Sequence, residues 1–131
     1  MFAQPEGFPM ATAPKTQRYQ VRGKNASSYE YWVSLALEEI RLEYLFQVSY
    51  WGGRRMIGGI ILDFLVFTKP LPTPLWVNGE YWHKGKQASR EYYQQVALAQ
   101  FGNMAPAIVL FGEECSTYEA ALQSIRKEFR I

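Results

Sequence analysis

The sequence predicts one mixed α/β domain with the element order α-β-β-β-α-β-α and a mixed central sheet flanked by helices. Two serine–glutamate pairs at capping-box spacing, Ser27 with Glu30 and Ser116 with Glu119, each open a stretch with apolar residues at helical spacing. Between them lie apolar runs of strand length, separated by Gly52-Gly53, by the prolines of residues 68–74 and by Gly79. A length of 131 residues leaves room for a single compact domain.

Taken in order, residues 1–26 hold Pro5, Pro9 and Pro14, no hydrophobic period, and Lys15, Arg18, Arg22 and Lys24 against the single acid Glu6. This predicts a flexible basic N-terminal arm, with residues 27–131 as the domain. The first helix is expected from Ser27 to about Tyr44, on a stripe of Tyr29, Val33, Leu37 and Ile40. Residues 45–51 and 56–67 are expected to pair as a hairpin, the second run being apolar enough for a central strand. A proline-rich loop over 68–74 leads to a short third strand, Leu75-Trp76-Val77-Asn78, stopped by Gly79. A second helix is expected over 88–101, with Tyr92, Val96 and Ala99 on one face and Gly102-Asn103 closing it. Residues 107–111 read as a strand, and the last helix follows with Tyr118, Leu122, Ile125 and Phe129 on its stripe.

Composition narrows the function classes. Apolar residues make up 48% of the chain and charged ones 20%, enough to fill a core. The net charge of +2 is too small to argue nucleic-acid binding from bulk charge, so any basic surface must be local. One cysteine, Cys115, and one histidine, His83, exclude an internal disulfide and a Cys/His zinc site. The longest apolar run, residues 60–67, is interrupted by Asp63 and is less than half the length of a membrane span. A soluble protein of a reducing, cytoplasmic compartment is expected, with no membrane partner.

The chemistry concentrates at two places. Asp63 stands inside Ile60-Ile61-Leu62-Asp63-Phe64-Leu65-Val66-Phe67, where an ionised carboxylate costs several kcal/mol unless paired or bound to a cation. It is either a functional acid or the partner of Arg54 or Arg55 from the preceding turn. Residues 77–86 then gather Asn78, Glu80, Tyr81, Trp82, His83, Lys84 and Lys86 just past a strand end, where sites commonly lie. A histidine able to act as a general base and a metal-binding carboxylate together suit the activation of water for hydrolysis.

Glu30 in the first helix, Gln47 in the first strand, Asp63-Phe64 in the second, and Gly79-Glu80-Tyr81-Trp82-His83 after the third form an order that resembles the PD-(D/E)xK endonuclease fold. Within it, the chain is most similar to the very-short-patch-repair branch and its EDxHD homing-endonuclease relatives, over about residues 27–130. The resemblance implies a three-layer restriction-endonuclease-like fold and a Mg²⁺- or Mn²⁺-dependent endonuclease acting on DNA, encoded by a phage or mobile element. It implies that Asp63 and the Val77 backbone carbonyl bind the metal, that His83 is the base for the attacking water, and that Glu30 orients the site. Asn78 would stand where the repair enzymes have a further histidine. Tyr81-Trp82 would match their aromatic wedge against the bases. Arg54, Arg55, Lys84, Lys86 and Arg90 are expected to form a local basic rim for phosphates.

The chain departs from the family at Trp76, where a Glu or Gln is usual, and at Asn78, where a lysine is usual. A catalytically degenerate DNA-binding or assembly module is therefore the competing expectation. Glu80 is an alternative third-strand acid if that strand continues past Gly79. Glu30 has a second explanation as the capping-box partner of Ser27. Cys115 is expected near a helix N-terminus, which favours its thiolate. The oligomeric state, monomer or homodimer, is left open.

Overall fold

A computed structural model describes residues 16–50, 60–78 and 103–131. The elements are β1 (Thr16–Val21), β2 (Lys24–Ala26), α1 (Ser28–Glu39), β3 (Tyr44–Tyr50), β4 (Ile60–Val66), β5 (Thr73–Asn78), β6 (Ile108–Phe111) and α2 (Tyr118–Phe129). The fold is mixed α/β. Strands β3-β4-β5-β6 form one sheet in that order, antiparallel except for the parallel pair β5 and β6. A parallel neighbour requires a crossover of a dozen or more residues, and the chain between Asn78 and Ile108 is long enough to provide it. The helix expected over 88–101 lies outside the described residues.

The flexible arm expected over residues 1–26 is corrected where the structure describes it. Residues 16–26 form an antiparallel hairpin, β1 with β2, whose Val21 and Ala26 are buried in the main core. The turn explains why. Arg22 and Gly23 both have positive φ, 52° and 80°, as a two-residue primed hairpin turn demands. Arg22 lays its guanidinium over the Tyr44 ring at 4.2 Å, and the Tyr44 hydroxyl donates to Glu38 Oε2 at 2.6 Å. The hydrogen bond with Tyr44, and the charges of Glu38 and Glu43, hold Arg22 above its ordinary pKa against its own desolvation.

Helix α1 begins where the capping box places it and ends at Glu39, five residues before the expected boundary. Arg41 at φ 60° breaks the helix, and Tyr44 already belongs to β3. Strand β5 starts at Thr73, earlier than Pro74 suggested. Pro74 faces Leu65 across the β4 pair and is fully buried, a tolerated position at the start of a strand. Helix α2 is capped by Thr117, whose side chain accepts from the Ala120 N–H at 3.1 Å, and not by Ser116 as the capping-box spacing suggested.

Two apolar layers lie on the sheet. The larger joins Val33, Ala36 and Leu37 of α1 and Ala121 and Ile125 of α2 to Phe46, Phe64, Val66, Leu75, Val77 and Leu110 of the sheet. Both helices therefore pack on one face. The smaller layer gathers Leu62, Leu65, Trp76, Ala107, Val109 and Phe111, with Val48 and Met104 against it. Among the described residues no helix is long and apolar enough to cross a membrane.

Candidate functional site

Asp63 lies in the middle of β4, half-buried, at a place where the sheet departs from regularity on both sides. On the β3 side, Phe46 faces Phe64 and Val48 faces Leu62, so Gln47 stands opposite Asp63, yet these two do not pair in the ladder. Gln47 has φ 55°, a left-handed conformation that costs a non-glycine residue about 1 kcal/mol or more. Phe46 and Phe64 belong to the helix-covered layer, whereas Val48 and Leu62 belong to the other. In a regular strand residues two apart share a face, so both strands turn over at Gln47 and Asp63.

On the β5 side the ladder pairs Val66 with Thr73, Leu65 with Pro74 and Phe64 with Leu75, and stops there. One residue further along β4, the Asp63 side chain replaces it: Oδ2 accepts the Val77 backbone N–H at 2.7 Å. That bond gives a carboxylate inside an apolar strand a charge-assisted partner. Because the N–H and C=O of one residue leave an extended strand on the same edge, the Val77 carbonyl faces this side of β5 too. Asn78 follows as the last residue of β5, half-buried and level with Phe111 of β6.

Lys24 of the β1–β2 hairpin reaches the same place on β3. Lys24 Nζ donates to the carbonyls of Phe46 and Gln47, at 3.2 and 3.4 Å. It thereby gives a hydrogen-bond donor to the backbone oxygens on either side of the turned-over peptide. Lys24 falls within the arm that the sequence predicts, and no local pattern in the sequence connects it with residues 46 and 47. The detectable signal was Arg22-Gly23 between the alternating Tyr19/Val21 and Lys24/Ala26 positions, which reads as a hairpin turn.

Glu30 is 2% exposed at the start of α1. Its Oε1 accepts the Ser27 N–H at 2.9 Å while its own N–H donates to Ser27 Oγ at 3.1 Å, a complete capping box. The helix-capping explanation of Glu30 thus has direct geometry behind it. Trp76 is buried within the smaller layer beside Leu62, Leu65 and Val109.

At Cys115 burial outweighs the thiolate-favouring effect expected of a nearby helix N-terminus. The cysteine is fully buried, its Sγ donates to the Phe111 carbonyl at 3.3 Å, and its pKa is pushed up to about 12. Desolvation is the leading cause, with the negative charges of Glu114 and Glu30 adding to it.

The structure therefore brings Asp63, Val77 and Gln47 to one irregularity of the sheet, with Asn78 at the end of β5. The other expected site residues, Arg54, Arg55, Glu80, Tyr81, Trp82, His83, Lys84, Lys86 and Arg90, lie outside the described residues. Among the described residues, no three His, Cys, Asp or Glu side chains gather as a metal cluster. The two ligands that the resemblance implies, the Asp63 carboxylate and the Val77 backbone carbonyl, are hard oxygens. That set fits a hydrated Mg²⁺, which keeps several waters and takes one or two carboxylates. Comparison of the chain with family models, curated proteins and solved structures found no match.

Proposed function

We propose that this chain is a metal-dependent DNA endonuclease of the restriction-endonuclease-like fold. The observation that carries the reading is Asp63: a carboxylate in an apolar central strand, bonded to the Val77 N–H where the β4–β5 ladder ends, opposite a strained Gln47. Strained backbone and a carboxylate kept in an apolar strand are features that cluster at sites. Asp63 and the Val77 carbonyl would hold Mg²⁺ or Mn²⁺, which when bound stabilises negative charge on the scissile phosphate. His83 would take the proton of the attacking water, and Asn78, the last residue of β5, would take the place of the further histidine that the resemblance implies. Arg54, Arg55, Lys84, Lys86 and Arg90 neutralise phosphates, and Tyr81 and Trp82 stack on bases.

A second reading, a nuclease-like module without turnover, is favoured by Trp76. Its side chain fills the smaller apolar layer at 6% exposure, so β5 contributes no second carboxylate at that position. Supercoiled plasmid and branched DNA incubated with Mg²⁺ or Mn²⁺ separate the two. Nicking that stops on chelation supports the enzyme. DNA binding without cleavage of any form supports the module.

A further inference from the structure

Gln47 and Asp63 share one departure from strand geometry, and it sets the direction of a side chain. Leu62 lies in the smaller apolar layer with Val48 against it, whereas Phe64 and Phe46 lie in the helix-covered one. Residues two apart in a regular strand share a face, so the residue between each pair stands at the midpoint of a half-turn of its strand. There a side chain leaves sideways, in the plane of the sheet. Asp63 does so: its carboxylate meets a backbone N–H of the neighbouring strand, that of Val77, at 2.7 Å. Regular pairing of β3 with β4 at this point would aim Asp63 at an apolar layer and away from β5.

The half-turn on β3 has a backbone cost. Gln47 holds φ 55°, which disfavours a non-glycine residue by about 1 kcal/mol or more. Successive carbonyls of a regular strand point to opposite edges. Those of Phe46 and Gln47, which belong to the two peptides flanking the Gln47 dihedrals, instead both accept from one ammonium, Lys24 Nζ, at 3.2 and 3.4 Å. One donor serves both only while the two peptides are turned to the same side. Lys24 stands where the hairpin pairing is regular, opposite Val21 across the Arg22-Gly23 turn. Arg22 anchors that turn on Tyr44, the first residue of β3.

We propose that Lys24 is a positioning residue for Asp63. By bonding both carbonyls it stabilises the left-handed Gln47, and Gln47 in turn keeps β3 and β4 out of the regular pairing that would rotate the carboxylate away from Val77. Its bearing on a metal rests on the reading of Asp63 and the Val77 carbonyl as ligands; its bearing on the direction of the carboxylate does not. Groups that orient a metal ligand from outside the coordination sphere change metal affinity by roughly 10- to 100-fold. A lysine suits the place, because its ammonium carries several donors on a long stem, and an arginine can keep both bonds.

The test uses the full chain, isotope-labelled, with two readouts: the Val77 amide proton resonance, which a bond to a carboxylate holds downfield, and titration with Mn²⁺ alone. Lys24→Met should move the Val77 resonance upfield and weaken Mn²⁺ binding about tenfold. Lys24→Arg should keep both near the wild type. Lys127→Met, an equal loss of charge at an exposed position of α2, should change neither. With Gln47→Gly present, glycine takes φ 55° without support, so adding Lys24→Met should change Mn²⁺ affinity by less than about twofold. The same pair keeps the test decisive where Lys24→Met alone fails to fold. An unmoved Val77 resonance in Lys24→Met overturns the proposal, as does an equal loss with and without Gln47→Gly. If the wild type binds no Mn²⁺ while the Val77 resonance still follows Lys24, the positioning role stands and the metal reading of Asp63 falls.

Discussion

The Asp63 carboxylate accepts the Val77 backbone N–H at 2.7 Å, so a side chain of β4 takes over a role that the strand ladder drops one residue earlier. This bond accounts for how an acid is kept inside an apolar strand. It also turns the edge of β5 toward that acid. Asp63→Asn retains an oxygen that can accept the same N–H while removing the negative charge. The expected outcome is loss of Mg²⁺-dependent nicking with the fold intact, read by plasmid assay beside thermal unfolding. His83→Ala should likewise reduce the cleavage rate strongly while DNA affinity stays within about twofold, since a general base acts on water. Full cleavage by Asp63→Asn would remove this residue from the mechanism.

Glu30 separates capping from chemistry. Glu30→Ala breaks one half of the capping box and should lower stability by about 1 kcal/mol, measured by urea unfolding. Glu30→Gln keeps an oxygen for the Ser27 N–H and should recover most of that loss. If the residue also orients the site, cleavage stays depressed in the stable Gln variant. Recovery of cleavage together with stability assigns Glu30 to the helix start alone.

Gln47 is strained for a reason that substitution can expose. At φ 55° a glycine is favoured and a β-branched residue strongly opposed. Gln47→Gly should therefore lie within about 0.5 kcal/mol of the wild type, whereas Gln47→Val should cost about 1–2 kcal/mol. Equal unfolding midpoints for the two variants would show that β3 does not keep its left-handed turn opposite Asp63. Nicking by the glycine variant then reads what the amide side chain itself contributes.

Cys115 makes stability fall at alkaline pH. Its folded pKa of about 12 lies above the ordinary value of 9.0, so the neutral thiol is the form that folding favours. The contribution is fully present below about pH 9 and is lost as pH rises toward 12. The slope over this window is at most about 1.4 kcal/mol per pH unit. Cys115→Ala should cost about 1 kcal/mol near neutral pH and flatten that decline. The native thiol should also resist alkylation at pH 8 until the chain is unfolded; rapid labelling of the folded protein would contradict its burial.

Much of the architecture was legible because it depends on local periods. Val33 and Leu37 at helical spacing, Ser27 with Glu30, and the apolar run around Asp63 each carry their structural meaning within a few residues. That sufficed for a mixed α/β domain and for singling out Asp63 as an acid needing a partner. The hairpin of residues 16–26 was missed because three prolines and a basic bias upstream outweighed a two-residue turn signal at Arg22-Gly23. What only the tertiary structure decided is non-local: Gln47 set opposite Asp63, the Val77 N–H as that acid's partner, and Lys24 on the carbonyls of residues 46 and 47. Those relations follow from strand register and from where a ladder stops. Register is set by how whole strands bury their faces against α1 and α2, so no window of neighbouring residues contains it.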